Sequence, residues 1–563
     1  MPQEFQESHV PHPLPTWADP DVPETVLDAQ GVSRRGLLRG AGLLGAAFAA
    51  GALAGATPAA ARGRRDEDCG EDDPRFGYLV GDHHVHSVYS HDAKYTFSQL
   101  AGRAEQFGLD WMAFTEHSNF GHANAGGADM EHAEVLKARR ENPRLLIFQG
   151  LEWYIPGAEH ATVFAAPGRN EVELLRRFEL AHDGKLLGLT DPTPANEARA
   201  VEALRWLAAQ RRSGYVDDVL VLANHPSRLG IDSPHEIRAW RDAAPGIVIG
   251  MEGAPGAQGA ALPGRRGANS IRGEYENKPS AASWPGYPAE AYVTYGGFDW
   301  MTATVGGLWD AMLSEGRLFS VTTNSDNHRT VFDTWANGPW PEGRNFDNTG
   351  RLPDPVDTGT PQPGSDLWPG QFSRTHVGVA RHGYRQVMQG LRAGRVWVDH
   401  GQLVDGVEVR VHREHGRRGP GATLGGRLAV RRGEEVTLTV TITATSRRNA
   451  HGDLPQLAHV DVIRGAVHGA PADPDAWRAP DTRVIHTSDV GGRKGTFTLR
   501  VPLGRAETSF YVRLRGSDGR RNGPGLLGAA VDPHGPLAHT PGDGDPWVDT
   551  WCYTNPVFVD VKH

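Results

Sequence analysis

Between residues 76 and 400 the chain alternates short, continuously apolar runs with amphipathic stretches of helical period. The runs at 78–85, 111–115, 145–151, 161–165, 219–223, 247–251 and 318–322 read as strands. Helix-period segments lie between them at 98–107, 129–140, 171–180, 195–212 and 234–242. Strands apolar on both faces must be covered on both faces, so this alternation predicts a parallel α/β architecture. Seven units in series favour a closed or nearly closed barrel. A helix at 384–394 and Val396-Trp397-Val398 complete the region. Two stretches, 254–300 and 329–375, are rich in Gly, Pro and Trp and lose the period. Loops of that length are usually lids or binding loops, the alternative being plain surface insertion. From about 401 the pattern switches to period two at 435–445, 495–501 and 509–514, with 557–561 as a further core strand. That predicts a C-terminal antiparallel β-sandwich, expected to shield the barrel edge or to bind a carbohydrate or surface.

The first 61 residues do not share either pattern. Ser33-Arg34-Arg35-Gly36-Leu37-Leu38-Arg39 reads as a twin-arginine signal, followed by the Gly/Ala-rich stretch 40–61 that ends in Ala59-Ala60-Ala61. The stretch is weakly apolar for a membrane span and contains Thr57 and Pro58. The expectation is export by the twin-arginine translocase, cleavage, and a periplasmic or extracellular protein with no stable membrane insertion. The expected division is a signal peptide at 1–61, a flexible mature N-terminus at 62–75, a barrel at 76–400 and the β-sandwich at 401–563.

Composition narrows the chemistry. Lys+Arg 58 against Asp+Glu 68 leaves a net charge of −10, which argues against binding a nucleic-acid polymer through its phosphates. A hydrophobic fraction of 39% supports a real core. Two cysteines exclude a disulfide scaffold and any Cys-rich metal site; Cys69 and Cys552 could pair in an oxidising compartment. The 26 histidines are unusual, so their placement matters.

Many of them stand at predicted strand ends. The first strand ends Asp82-His83-His84-Val85-His86-Ser87, and residues two apart on a strand face one side, so His84 and His86 can address one metal. The second ends Thr115-Glu116-His117. The third runs into Gly150-Leu151-Glu152, with His160 at the start of the next. The fifth ends Asn224-His225-Pro226, and the seventh Asn324-Ser325-Asp326-Asn327-His328. In a β/α barrel these ends converge on one face. One such histidine is ordinarily structural; ligand-type residues at five ends are not easily explained that way.

This set resembles the PHP (polymerase and histidinol phosphatase) superfamily, whose motifs are H-x-H, T-D-H, a lone Glu, a lone His and D-x-H. The resemblance implies a distorted (β/α)₇ barrel holding two or three divalent ions over residues 76–400. By that resemblance His84, His86 and Asp326 hold one metal together with Glu152. Glu152 bridges to a second held by His160 and His225. A third takes His117, His328 and Asp92, with His91 as the alternative to Asp92. Glu152 and Asp326 are the carboxylates expected to carry catalysis. The sequence departs from the family at Glu116, where Asp is usual, and at Tyr89-Ser90-His91-Asp92, where Y-S-D-G is usual.

Imidazole and carboxylate donors suit Zn²⁺, Mn²⁺ or Fe²⁺. Two such ions about 3.5–4 Å apart lower the pKa of a shared water from about 15.7 towards 7, giving a hydroxide nucleophile. No G-x-S-x-G motif offers a serine instead. Arg228, Arg329 and Arg374 stand beside the motifs or at the end of the second loop and suit an anionic substrate; Trp153, Tyr154, Trp309 and Trp335 are pocket or core. The leading expectation is a phosphoesterase for a small-molecule phosphomonoester or phosphodiester. Similarity to carbaryl-hydrolase-type members, through the 84–120 segment, Gly-Leu-Glu and "QVMQGLRAGRVWVDHG", offers carbamate or carboxylic ester hydrolysis as the alternative. A non-catalytic surface-binding protein is the third.

Overall fold

Strand β1 (Gly77–Val85) opens a sheet whose order positions everything that follows. The computed structural model describes residues 76–562 except 125, 256–278, 293, 331–332, 363–366, 415–420, 451 and 520–549. The signal segment and Cys69 therefore lie outside the described residues, while Cys552 is buried in a strand. No helix among the described residues is long and apolar enough to cross a membrane.

The first half alternates β1, α1 (Phe97–Gln106), β2 (Trp111–His117), α2 (Gly127–Glu141), β3 (Leu146–Tyr154), β4 (His160–Ala165), α3 (Glu171–His182), α4 (Pro194–Arg212), β5 (Val219–Ala223), α5 (Pro234–Ala243) and β6 (Val248–Ala254). Helix starts follow local chemistry. Thr96 with Gln99 and Ser233 with Glu236 form capping boxes on α1 and α5, and Pro194 and Pro234 stand where a missing N–H costs nothing. After α6 (Leu308–Ser314) and β7 (Ser320–Thr323), β8 (Ser373–Val379), α7 (Tyr384–Arg392) and β9 (Val396–His400) return the chain to β1. The sheet runs β9-β8-β1-β2-β3-β4-β5-β6-β7 through this region. A parallel bridge Val85↔Asn327, with the His86 N–H donating to the Asn327 carbonyl at 3.0 Å, ties the end of β1 to the segment after β7.

The sheet is mixed, which corrects the all-parallel expectation. β4 is antiparallel to both β3 and β5. The link at 155–159 is too short for a crossover and turns at Gly157, φ 79°. Strands β8 and β9 are also antiparallel to their neighbours.

The C-terminal region adds β10 (Val404–Arg413), β11 (Arg427–Arg431), β12 (Glu434–Ala444), β13 (His459–Ala466), β14 (Arg483–Asp489), β15 (Thr496–Ala506), β16 (Phe510–Ser517), β17 (Trp551–Thr554) and β18 (Val557–Lys562). β10, β12 and β15 make a separate antiparallel sheet. The others continue the large sheet, because β17 pairs with β9. The two layers share a core in which Leu438 and Val440 join Val462 and Leu514. One pair in this region, β11 with β18, is parallel.

Candidate metal centre

Strand alternation and register deliver the polar cluster. At the end of β1, His84 and the next-but-one residue His86 face one side, and their Nε2 atoms are 2.9 Å apart. Parallel register puts His117 of β2 beside Glu152 of β3, and the short β3–β4 link sets His160 opposite Tyr154. His225 follows β5 and Asp326 follows β7; their φ values of 31° and 49° lie in the left-handed region. Non-glycine residues adopt that region at a cost of order 1–3 kcal/mol, and such strain concentrates at functional sites.

Glu152 is the hub. Its Oε1 lies 3.0 Å from His84 Nε2 and 3.1 Å from both His160 Nδ1 and His225 Nε2. Its Oε2 lies 2.8 Å from His117 Nδ1 and 3.4 Å from His86 Nε2. Asp326 Oδ1 is 3.1 Å from His84 Nε2, 3.4 Å from His86 Nε2 and 3.6 Å from His328 Nδ1. On the outer side His117 Nε2 and His328 Nε2 are 3.3 Å apart, and Asp92 Oδ1 stands 3.5 and 3.6 Å from them. The structure thus brings together all nine side chains expected to face metal. His91 lies at the half-exposed rim beside Asp92 and His117.

These separations fit a cation. Ligand atoms about 2.0–2.1 Å from one ion lie about 3.3 Å apart in a tetrahedron and about 2.9 Å apart in an octahedron. The observed 2.8–3.6 Å separations span that range. Glu152 Oε2 is buried and accepts no hydrogen bond, although His117 Nδ1 is close. The electrostatics agree. Burial works against charge on Glu152, yet His160, His84 and His117 hold its carboxyl well below the usual range. Asp326 is held low against burial by His84, His86 and His328, and Asp92 by His328 and His117. Burial, then His328 and His117, pushes His86 well below the ordinary imidazole value, keeping it neutral as a ligand must be. Against its own burial, His84 is driven up by Asp326, Glu252 and Glu152. The pocket demands positive charge there, and a divalent ion supplies more of it than a proton.

The arginines divide. Arg228 Nη1 donates to Glu159 Oε2 at 3.1 Å, and that oxygen is 3.8 Å from His225 Nδ1. Arg329 follows His328 directly. Arg374 is not brought to the cluster: it donates to the Gly370 and Phe107 carbonyls at 3.0 and 2.7 Å. Its neighbour Thr375 bonds to Thr323, so alternation along β8 turns Arg374 to the opposite face. Trp153 and Trp309 are buried, each donating its indole N–H to a carbonyl. Trp335 packs against the cluster of Val85, Tyr95 and Phe97. Tyr154 does reach the site, its hydroxyl 3.4 Å from His117 Nδ1, and Lys185 Nζ lies over its ring.

Sequence reasoning missed the supporting groups. Glu159 joins His160 and His225 within metal-binding distance. Asn224 Nδ2 donates to Glu152 Oε1 at 3.0 Å. Ser90 Oγ donates to Glu116 at 2.7 Å and stands 2.9 Å from His86 Nδ1, so Glu116 acts behind the site through Ser90. Glu252 stands 2.6 Å from His84 Nδ1. Its signal was present: an acidic residue at the end of the sixth predicted strand.

Residues 82–229, about a quarter of the chain, match the PHP domain. No curated protein matches the chain. Among solved structures it is similar to a two-domain protein from Bacteroides vulgatus described as containing a predicted PHP-like metal-dependent phosphoesterase. That alignment has 14% identity, covers 81% of this chain and 95% of the other, and has a TM-score of 0.29. A protein from Bifidobacterium adolescentis described as a metal-dependent phosphoesterase aligns at 17% identity over 30% of this chain and 76% of its own, with a TM-score of 0.19.

Proposed function

We propose that the chain is a metal-dependent hydrolase of the PHP type that cleaves phosphate mono- or diesters. The observation that carries this reading is a single buried carboxylate, Glu152, within 3.4 Å of five imidazoles from four separate stretches of chain. The PHP domain match over 82–229 supports it. His84, His86, Asp326 and Glu152 would hold one ion, Glu152, His160 and His225 a second, and His117, His328 and Asp92 a third. Bound divalent ions supply Lewis acidity towards a phosphoryl oxygen and a water made acidic enough to react near neutral pH.

The chain's own groups do the positioning. Arg228, steadied by Glu159, offers a guanidinium on the His225 side, and guanidinium geometry suits phosphate oxygens. Lys185 adds a cation beside Tyr154 on the His117 side. Arg329 would serve the third side, next to His328. Export through the 1–61 segment, by the twin-arginine route, belongs to the same proposal, as does the division at 401 into catalytic and accessory parts. A metal-loaded preparation assayed on p-nitrophenyl phosphate, bis-p-nitrophenyl phosphate and an aryl carbamate tests the substrate class. Turnover of a phosphate ester is expected; faster turnover of the carbamate would replace the phosphoesterase reading with the carbamate one.

A further inference from the structure

Glu252 lies near the end of β6, is fully buried, and sits behind the imidazoles rather than among the groups facing the shared centre. Its Oε1 accepts from Asn324 Nδ2 at 2.6 Å, and its Oε2 from the backbone N–H of His225 at 2.8 Å. Oε1 also stands 2.6 Å from His84 Nδ1. Both oxygens already act as acceptors, so the proton of this third contact belongs on His84 Nδ1. With Nδ1 so engaged, Nε2 is the nitrogen that faces Glu152 and Asp326, 3.0 and 3.1 Å away, and the one that would meet a bound cation.

The three partners come from three strand ends: His84 from β1, His225 after β5 and Asn324 after β7. Register makes this possible, since Met251 pairs with Ala223 and Glu252 with Thr322. Gly250 lets the strands approach, because a Cβ there would fall 2.0 Å from the Ser320 carbonyl oxygen. The bond from the His225 N–H holds that residue at its left-handed φ of 31°.

We infer that Glu252 is a positioning residue for the metal centre, fixing the tautomer of His84 and clamping the turn that presents His225. The inference rests on the metal-centre reading above. Outer partners of metal-ligating histidines are worth about 10–100-fold in metal affinity. Glu252→Gln keeps the size but replaces one acceptor with a donor. Glu252→Asp keeps the charge and withdraws it by one methylene.

The experiment titrates Mn²⁺ into the metal-free full chain, reading free Mn²⁺ by electron paramagnetic resonance, and records the visible spectrum of the Co²⁺ form. Glu252→Gln should bind Mn²⁺ about 10–100-fold more weakly than the parent. Its metal-free melting temperature should stay close to the parent's, and its Co²⁺ bands should shift. Glu252→Asp should fall between the two, and carries the test alone if the Gln variant does not fold. Parent-like Mn²⁺ affinity and Co²⁺ bands in the folded variants overturn the positioning role while leaving the metal centre standing. A parent that takes up neither ion defeats the metal centre and this inference together.

Discussion

Two of the places where the molecule buries charge treat it in opposite ways. Where the C-terminal strands meet α6, Arg513 on β16 donates through Nε and Nη2 to the two oxygens of Asp310, each at 2.7 Å, and Arg515 donates to Asp461 at 2.9 Å. All four side chains are fully buried, and each charge is matched by one of opposite sign. At the strand ends, six imidazoles and three carboxylates crowd together with ring nitrogens facing one another. The first arrangement closes its charges without help. The second is one that a bound cation would satisfy. A closed pair of this kind is costly to break by removing one partner, whereas a cluster of facing ligand atoms is one that a cation would complete.

The contrast breaks most sharply at Glu152. Replacing it with Ala should cut metal affinity and hydrolysis by on the order of 10³-fold, more than the 10–100-fold expected for an outer partner. Metal analysis beside an ester assay reads both; parent-like values would remove Glu152 from the centre. Arg513→Met strands Asp310 as an uncompensated buried charge and should cost about 3–5 kcal/mol in denaturant unfolding, with metal content unchanged. A loss of metal in that variant would mean the two regions are not independent.

Chelation sharpens the comparison further. Free ion at about 100 times Kd stabilises the folded state by about 2.7 kcal/mol. Stripping metal should therefore lower the unfolding free energy by about that amount, equally in the parent and in Arg513→Met. The last comparison concerns pH. Burial raises the Asp183 carboxyl to about 7, against hydrogen bonds from the Leu186 and Tyr154 N–H groups. Its folded pKa lies above the unfolded value near 3.8. The contribution is thus complete below about pH 4 and is lost as pH rises through 7. Asp183→Asn should flatten the stability profile across that window, as melting temperatures at successive pH values would reveal.

Much of the cluster was legible because a strand end has a simple rule: ligand-type residues there share a face. His84, His86, His117, Glu152, His225 and Asp326 follow it. Glu252 stands after an apolar run too, but a lone Glu there looks like ordinary punctuation until its three partners are in view. Arg374 shows the converse. It adjoins the right segment, but alternation along β8 sends it to the outer face, where it meets the Phe107 carbonyl. The antiparallel β4 was hidden because apolar runs carry no mark of direction; only the length of the link at 155–159 hinted at it.

Local pattern marked strands β1–β7 and β9, helices α1–α5 and α7, and the polar groups that end those first strands, because periodicity and capping are properties of neighbouring residues. Tertiary structure decided which ends meet, which oxygen of Glu152 faces which imidazole, and that β17 returns to pair with β9. Those outcomes depend on strand direction and register between segments far apart in the chain, and such pairings arise only when the apolar faces are buried together.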